Sequence, residues 1–418
     1  MVINVPLKCD TCGSQIRLKI QCDDSLFNYE FPLHIYCQKC GDEFDCRYSM
    51  KHGILPKKYN GSAETQSDFA LSYSPQLPIP RKNYYNSDEK LVFSPFILLM
   101  TPYGPDVKRK HGNRIKMVLE NIYPYRMVLS ELIPVMRKGN FAAFQKKMMN
   151  VFDIKKANRN ILSISECKDV FAEFVEKIHT NFASRDYLNL VAQRVIDICD
   201  EFVERHTKDE LREFIQTMSS VINLSHWIKD TEDFLGLFLN QSEKYYPAMF
   251  FSNVGDFSLP HACETIIETI DVDDVHNHYK KAFDLLGSIM SMLVAICNWK
   301  TTGEVNTFPN ASGGMKGITD LKMFNDLPDG LKNEKLQDYT LVAEYLAGCY
   351  NTHVRNALAH NNVEIAPLTQ IVEYYYRMND NETHDDFMLI DVCHMTFINV
   401  LHLQELYLVV HKIKSKIE

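Results

Sequence analysis

The sequence predicts a mainly α protein that carries a small β module at its N-terminus. Three observations lead there. After residue 111 apolar residues recur three and four positions apart through most of the chain, the period of helices with one buried stripe. Near the start, Ile16, Leu18 and Ile20 alternate with polar residues, the period of a half-buried strand. Glycine is scarce, 16 of 418 residues, which favours helices over a series of tight hairpins. Apolar residues make up 45% of the chain, enough for the cores of two or three domains.

Residues 1–50 hold two Cys-x-x-Cys pairs, Cys9/Cys12 and Cys37/Cys40, with 24 residues between them. Gly13 and Gly41 follow the pairs, as expected of tight turns that aim two thiolates at one ion. The spacing predicts a zinc ribbon with strands over Gln15–Gln21 and Glu30–Tyr36. Four thiolates leave no open coordination position, so the expected Zn2+ is structural, and its binding would supply roughly 10 kcal/mol or more of folding energy. A disulfide framework is the competing reading. The scatter of the remaining cysteines and the lack of a preceding signal peptide argue against it. Cys22 and Cys46 read as small core residues rather than ligands. Cys167, Cys199, Cys263, Cys297, Cys349 and Cys393 fall mostly in apolar helical settings and read as reduced thiols, which points to the cytoplasm.

Residues 51–110 read as an irregular, Pro-rich connection, since seven of the 16 prolines lie between Pro56 and Pro105. Residues 111–265 follow as a helical middle domain, with periodic segments at Phe171–Ile178, Tyr187–Phe202 and Glu210–Ile222. Residues 266–418 form a second helical region. One helix starts at Asp273 or Asp274 and runs through Phe283, Leu286, Ile289, Met290, Leu293 and Ile296 to Trp299. Another runs from Phe387 to about Ile413. Between the helices, 301–330 carries five glycines and two prolines and reads as an inserted loop. The longest apolar run, Ile289 to Ile296, falls short of the roughly 18–20 residues that cross a bilayer, so no membrane span is expected.

The run Arg355-Asn356-Ala357-Leu358-Ala359-His360 carries the chemistry. Tyr339, Val342, Tyr345, Leu346, Cys349 and Tyr350 precede it at helical spacing, so it belongs on or at the end of an amphipathic helix, and Pro367 closes the segment. Cleavage of RNA by its own 2′-OH needs a base near neutral pH, and histidine titrates there. It also needs a fixed cation for the phosphorane oxygens, for which the planar arginine fork is suited. Successive helical residues turn by about 100°, so Arg355 and His360, five apart, lie about 140° from each other. Asn356 and His360 share a face, and His353 falls on the same stripe. A two-fold dimer would bring an arginine and a histidine together best.

Arg-Asn-x-x-x-His near the end of an apolar helix, followed by Asn361 and Asn362, resembles the signature of the HEPN superfamily (higher eukaryotes and prokaryotes nucleotide-binding domain). The resemblance covers about the last third of the chain. It implies a C-terminal helical bundle, homodimerisation and metal-independent endoribonuclease activity that leaves a 2′,3′-cyclic phosphate. Its members with an intact motif are common among toxins and anti-phage abortive-infection effectors, so a phage-derived trigger is one expected partner. Arg355 and His360 would be the catalytic pair and Asn356 the accompanying polar residue, with His353 as a supporting candidate that more simply packs or hydrogen-bonds within the bundle. No catalytic metal is expected.

A net charge of -9 argues against broad nucleic-acid binding. Locally the sign reverses. Arg137, Lys138, Lys146, Lys147, Lys155, Lys156 and Arg159 face a single acid, Asp153, and a second cluster runs from Lys108 to Lys116. Lys146, Lys147, Lys155, Lys156 and Arg159 are the RNA-binding candidates, against the alternative of a solvated helix face. No phosphate-binding glycine loop, Rossmann fingerprint or His-Glu-x-x-His occurs, which excludes the usual equipment for nucleotide hydrolysis, dinucleotide redox chemistry and zinc proteolysis. Asp271, Asp273, Asp274, His276 and His278 suggest a metal, but acids at a helix start more simply oppose its dipole. The alternative function is a non-catalytic HEPN-like dimerisation module whose ribbon binds nucleic acid or protein.

Overall fold

The computed structural model describes residues 2–22, 26, 28–58, 68–80, 85–86, 95–148, 161–183, 192–253, 265–308, 317–378 and 381–418. In chain order it opens with strands β1 (Val2–Lys8), β2 (Gln15–Gln21), β3 (Glu30–Tyr36), β4 (Glu43–Ser49), β5 (Gly53–Lys58), β6 (Phe69–Tyr73), β7 (Ile79–Pro80) and β8 (Tyr85–Asn86). Helices α1 (Pro95–Asn121), α2 (Val128–Arg137), α3 (Phe141–Met148), α4 (Ile164–Phe182), α5 (Gln193–Arg205), α6 (Lys208–Val221) and α7 (Leu224–Asn240) follow. After β9 (Thr265–Ile266) come α8 (Val272–Thr302), α9 (Leu321–Asn325), α10 (Asp329–Leu336), α11 (Thr340–Leu346) and α12 (Thr352–Ala359). The chain ends with β10 (Val363–Ala366), β11 (Ile371–Met378), β12 (Asn381–Met388) and α13 (Leu389–Ile417). The protein is mainly α, and its chain folds into two compact units, each assembled from three segments of sequence.

The first unit comprises Met1–Tyr123, Gln241–Tyr279 and His353–Phe397. Its N-terminal part is two hairpins. β1 and β2 pair antiparallel with Val5 opposite Leu18, and β3 and β4 pair with Leu33 opposite Cys46 and Ile35 opposite Phe44. The alternation in β2 puts Ile16, Leu18 and Ile20 in the core, each burial being worth about 1.5–3 kcal/mol. Both predicted strands have the expected bounds. The stretch read as an irregular connection behaves differently. β6 adds to β2 in parallel, Leu18 opposite Leu71, and β5 adds to β4, so this Pro-rich segment supplies sheet strands. α1 is kinked at Gly104, whose φ of 75° interrupts the helix between Pro102 and Pro105, a usual cause of such a break.

The second unit comprises Pro124–Asn240, Lys280–Thr352 and Ile398–Glu418. α2 packs on α3, α4 and α7. A capping box, Thr207 with Glu210, starts α6, satisfying two backbone donors at once. Trp227 donates its indole N–H to the Leu285 carbonyl at 2.9 Å. A buried carboxylate, Glu405, accepts from His179 at 3.0 Å, from His402 at 3.1 Å and from Tyr345 at 2.6 Å. Burial alone would raise its pKa, but the histidine bonds outweigh that effect and hold it at about 2. Tyr350 stacks on Phe283 at 3.8 Å and lies so close to Gly287 that a Cβ there would meet its hydroxyl at 2.7 Å.

Three expectations for the last third are revised. The apolar run before the motif forms α11, which ends at Leu346, and Gly348, with φ 76°, separates it from α12. The motif therefore has a short helix of its own. The second revision is a three-stranded antiparallel sheet, β10-β11-β12, where only helices were expected. Ile371, Val372, Tyr374, Tyr375 and Tyr376 supply the β-branched and aromatic side chains that favour strands. The predicted loop 301–330 is helical at Leu321–Asn325. α8 is long enough to cross a membrane and holds an 18-residue stretch of mean hydropathy 1.5, yet 78% of that stretch is buried inside the protein.

Candidate functional site

α12 buries Val354 and Ala357, three positions apart on its inner face. This orientation leaves His353, Asn356 and His360 exposed along one edge and Arg355 on the flank. The helix ends in a left-handed cap. Asn361 has φ 54°, and the Asn362 N–H returns to the Ala357 carbonyl at 2.9 Å, the six-to-one bond of a Schellman ending. His360 is thus the C-cap residue, one position past the end of α12, where the chain turns away and leaves it exposed. The Arg355 guanidinium reaches the Asn356 side-chain oxygen only at 3.5 Å, a marginal bond.

His353 has partners that its helical setting did not suggest. Its Nδ1 lies 2.9 Å from Asp385 Oδ2 on β12, and its ring stacks on Tyr376 of β11 at 3.8 Å, 17° from parallel. Tyr376 donates its hydroxyl to the other oxygen of Asp385 at 3.0 Å. Partial desolvation and the bond to Asp385 push the Tyr376 pKa up. Asp385 and Tyr376 were missed because the hairpin was missed. The signal was the alternation Thr383, Asp385, Phe387 opposite a run of tyrosines.

The sheet keeps its two faces distinct. Tyr374 lies opposite Asp385 and Glu373 opposite Asp386, so Tyr374, Tyr376 and Asp385 share the face that meets α12. Glu364, Glu373, Glu382 and Asp386 fall on the other. There Glu373, His384 and Asp386 bring ligand atoms within 4.8 Å of one another, with His384 and Asp386 exposed and Glu373 half-buried.

The hairpin turns of the first unit build a thiolate cluster. Gly13 donates to the Cys9 carbonyl and Gly41 to the Cys37 carbonyl, both at 2.8 Å, and both glycines have positive φ, 72° and 75°. Cys9 and Cys40 sulfurs lie 3.7 Å apart, Cys12 and Cys37 3.6 Å. Tetrahedral thiolates at about 2.3 Å from an ion would stand about 3.8 Å from one another, so the set fits a structural metal. Ser14, by its side chain and backbone, lowers the Cys12 thiol to about 6, while burial lifts Cys37 to about 12. Cys22 and Cys46 are buried outside the cluster, and burial puts Cys46 at about 12.

The basic clusters are largely engaged. Arg137 bonds Asp233 at 2.7 and 2.9 Å and Glu232 at 3.0 Å, and Lys147 pairs with Glu131. Lys146 sits in the last turn of α3, while Lys155, Lys156 and Arg159 lie outside the described residues. In the earlier cluster His111 and Arg114 are buried, Arg114 donating to Ser252 at 2.6 Å. The acids at the start of α8 behave as helix-start residues. Asp271 accepts from the Asp274 N–H at 2.8 Å, and His276 and His278 bond Tyr374 and Tyr245. No family model, curated protein or solved structure matches this chain.

Proposed function

We propose that this chain is a HEPN-type endoribonuclease that cleaves RNA through its own 2′-OH and needs no catalytic metal. The supporting observation is the exposed edge of α12, where Asn356 and the cap residue His360 stand together with Arg355 on the flank. In this reading His360 takes the 2′-OH proton, Arg355 stabilises the charge on the phosphorane, and Asn356 orients the phosphate or ring. The arginine sits on the flank rather than beside the histidine, which fits a composite site formed by two copies across an isologous interface. HEPN-like helices around the motif, homodimerisation, a cytoplasmic location and a role as a toxin or anti-phage effector with a phage-derived trigger belong to the same proposal.

The thiolate cluster is assigned to Zn2+. Cysteine-only tetrahedral sites select zinc or iron–sulfur centres, and the two-knuckle arrangement is the zinc form. Its place is structural, joining two hairpins. The acidic outer face of β10–β12 and the paired state of Arg137 and Lys147 favour a second reading, a non-catalytic dimerisation module. Purified wild-type and His360→Ala protein, compared for oligomeric state and for cleavage of total RNA, decide between them. Equal dimerisation with cleavage by wild type alone supports the nuclease. Dimers of both with cleavage by neither support the module.

A further inference from the structure

The outer face of β10–β12 gathers side chains of the types that hold metal ions. Successive residues of a strand point to opposite faces, so Glu373 and Tyr375 of β11 and Glu382, His384 and Asp386 of β12 lie on the side away from α12. Glu373 pairs with Glu364 on one neighbouring strand and with Asp386 on the other. Three carboxylates thus run in a row across the sheet, and like charges directly opposite one another are unfavourable. Among the described residues no lysine or arginine forms an ion pair with any of the three. A bound cation would relieve that repulsion.

His384 makes this more than a row of acids. It stands two residues before Asp386 on the same face, with Nε2 3.4 Å from Asp386 Oδ1. A ring nitrogen of His384 and one carboxylate oxygen each of Asp386 and Glu373 lie within 4.8 Å of one another. A first-row transition ion holds N and O ligands at roughly 2.0–2.2 Å, so neighbouring ligand atoms stand about 3–3.5 Å apart and opposite ones about 4 Å. Side-chain rotation closes the remaining gap. Tyr375 donates its hydroxyl to Glu373, the kind of outer bond that orients a ligating carboxylate. We infer that Glu373, His384 and Asp386 bind one divalent transition-metal ion, of the Mn2+ or Zn2+ kind. The imidazole disfavours Ca2+ and Mg2+, which take oxygen ligands, and three protein ligands leave positions for water. The ion ties the central strand β11 to the edge strand β12. It sits on the face away from His353 and Asp385, so this site is independent of the ribonuclease reading and takes no part in the chemistry assigned to α12.

The test uses the full-length protein, given one equivalent of Zn2+ that the four thiolates take first, and then titrated with Mn2+ in a background of Mg2+. Binding removes the paramagnetic resonance signal of free Mn2+, which counts the bound ion directly. Wild type should take up one Mn2+ per chain. His384→Gln and Asp386→Asn should weaken that binding by about 10-fold or more, since even outer partners of a metal ligand are worth that much. Glu382→Gln removes a charge from the same face without removing a ligand and should bind as wild type does. The inference is overturned if wild type retains no Mn2+ against Mg2+, or if Glu382→Gln weakens binding as much as His384→Gln, which would mean diffuse attraction to an acidic face. A second readout needs no variant to fold: spin-echo spectra of Mn2+ bound to wild type should show a directly coordinated nitrogen. Their lack of nitrogen modulation would remove His384 from the site and overturn the assignment.

Discussion

Arg355 and His360 differ in how strictly their chemistry constrains them. A lysine keeps the charge of Arg355 but loses the planar fork that meets two phosphate oxygens at once. Arg355→Lys should therefore lower kcat by about 10- to 100-fold with little change in melting temperature, measured by single-turnover cleavage and thermal unfolding. Undiminished kcat would mean that a diffuse positive charge suffices. The place of the three motif residues at a helix end is legible in sequence because their spacing is helical. Asp385 and Tyr376 are not legible in the same way. They lie 32 and 23 positions from His353, and only strand pairing brings them to it.

Elements whose pattern is local are the ones the sequence reveals. β2 and β3 have their expected bounds because in each of their two hairpins alternating apolar residues and a Cys-x-x-Cys turn act locally. The period of α8 and α13 is equally local. β6 is different, since its place beside β2 depends on a parallel pairing across some fifty residues, and its flanking prolines suggest a linker instead. The hairpin turns carry the prediction for this scale. Chelation, or Cys9→Ser and Cys37→Ser, should release the zinc proposed for the cluster and disorder β1–β4, because such an ion would supply roughly 10 kcal/mol or more of local folding energy. Metal analysis and amide exchange of the hairpins check this. Unchanged exchange after metal loss would make the ion dispensable to the fold.

For the molecule as a whole, one consequence follows from buried ionisable groups and another from the proposed two-fold dimer. Burial lowers His276, His278 and His394 to about 4 and His111 to about 3, while the unfolded chain titrates histidine near 6.5. Between about pH 6.5 and 4 the unfolded state binds more protons, so the stability due to these neutral rings is complete above pH 6.5 and falls as pH drops towards 4. Denaturation of the first unit followed against pH should show that slope, and a flat profile would contradict it. At neutral pH, mixing Arg355→Ala with His360→Ala protein should restore about a quarter of wild-type activity. Half of randomly mixed dimers are hetero, each with one intact composite site of two. No recovery would place the arginine and histidine of one site on the same chain.

The measurement that bears most directly on the nuclease is the chemistry of the cut ends, with wild-type and His360→Ala protein incubated with RNA without added divalent metal ion. Cleavage by wild type alone, leaving 2′,3′-cyclic phosphate and 5′-OH ends, is the predicted result. Cleavage that requires an added divalent metal ion, leaves 5′-phosphate ends, or persists in His360→Ala would contradict a metal-independent mechanism centred on α12.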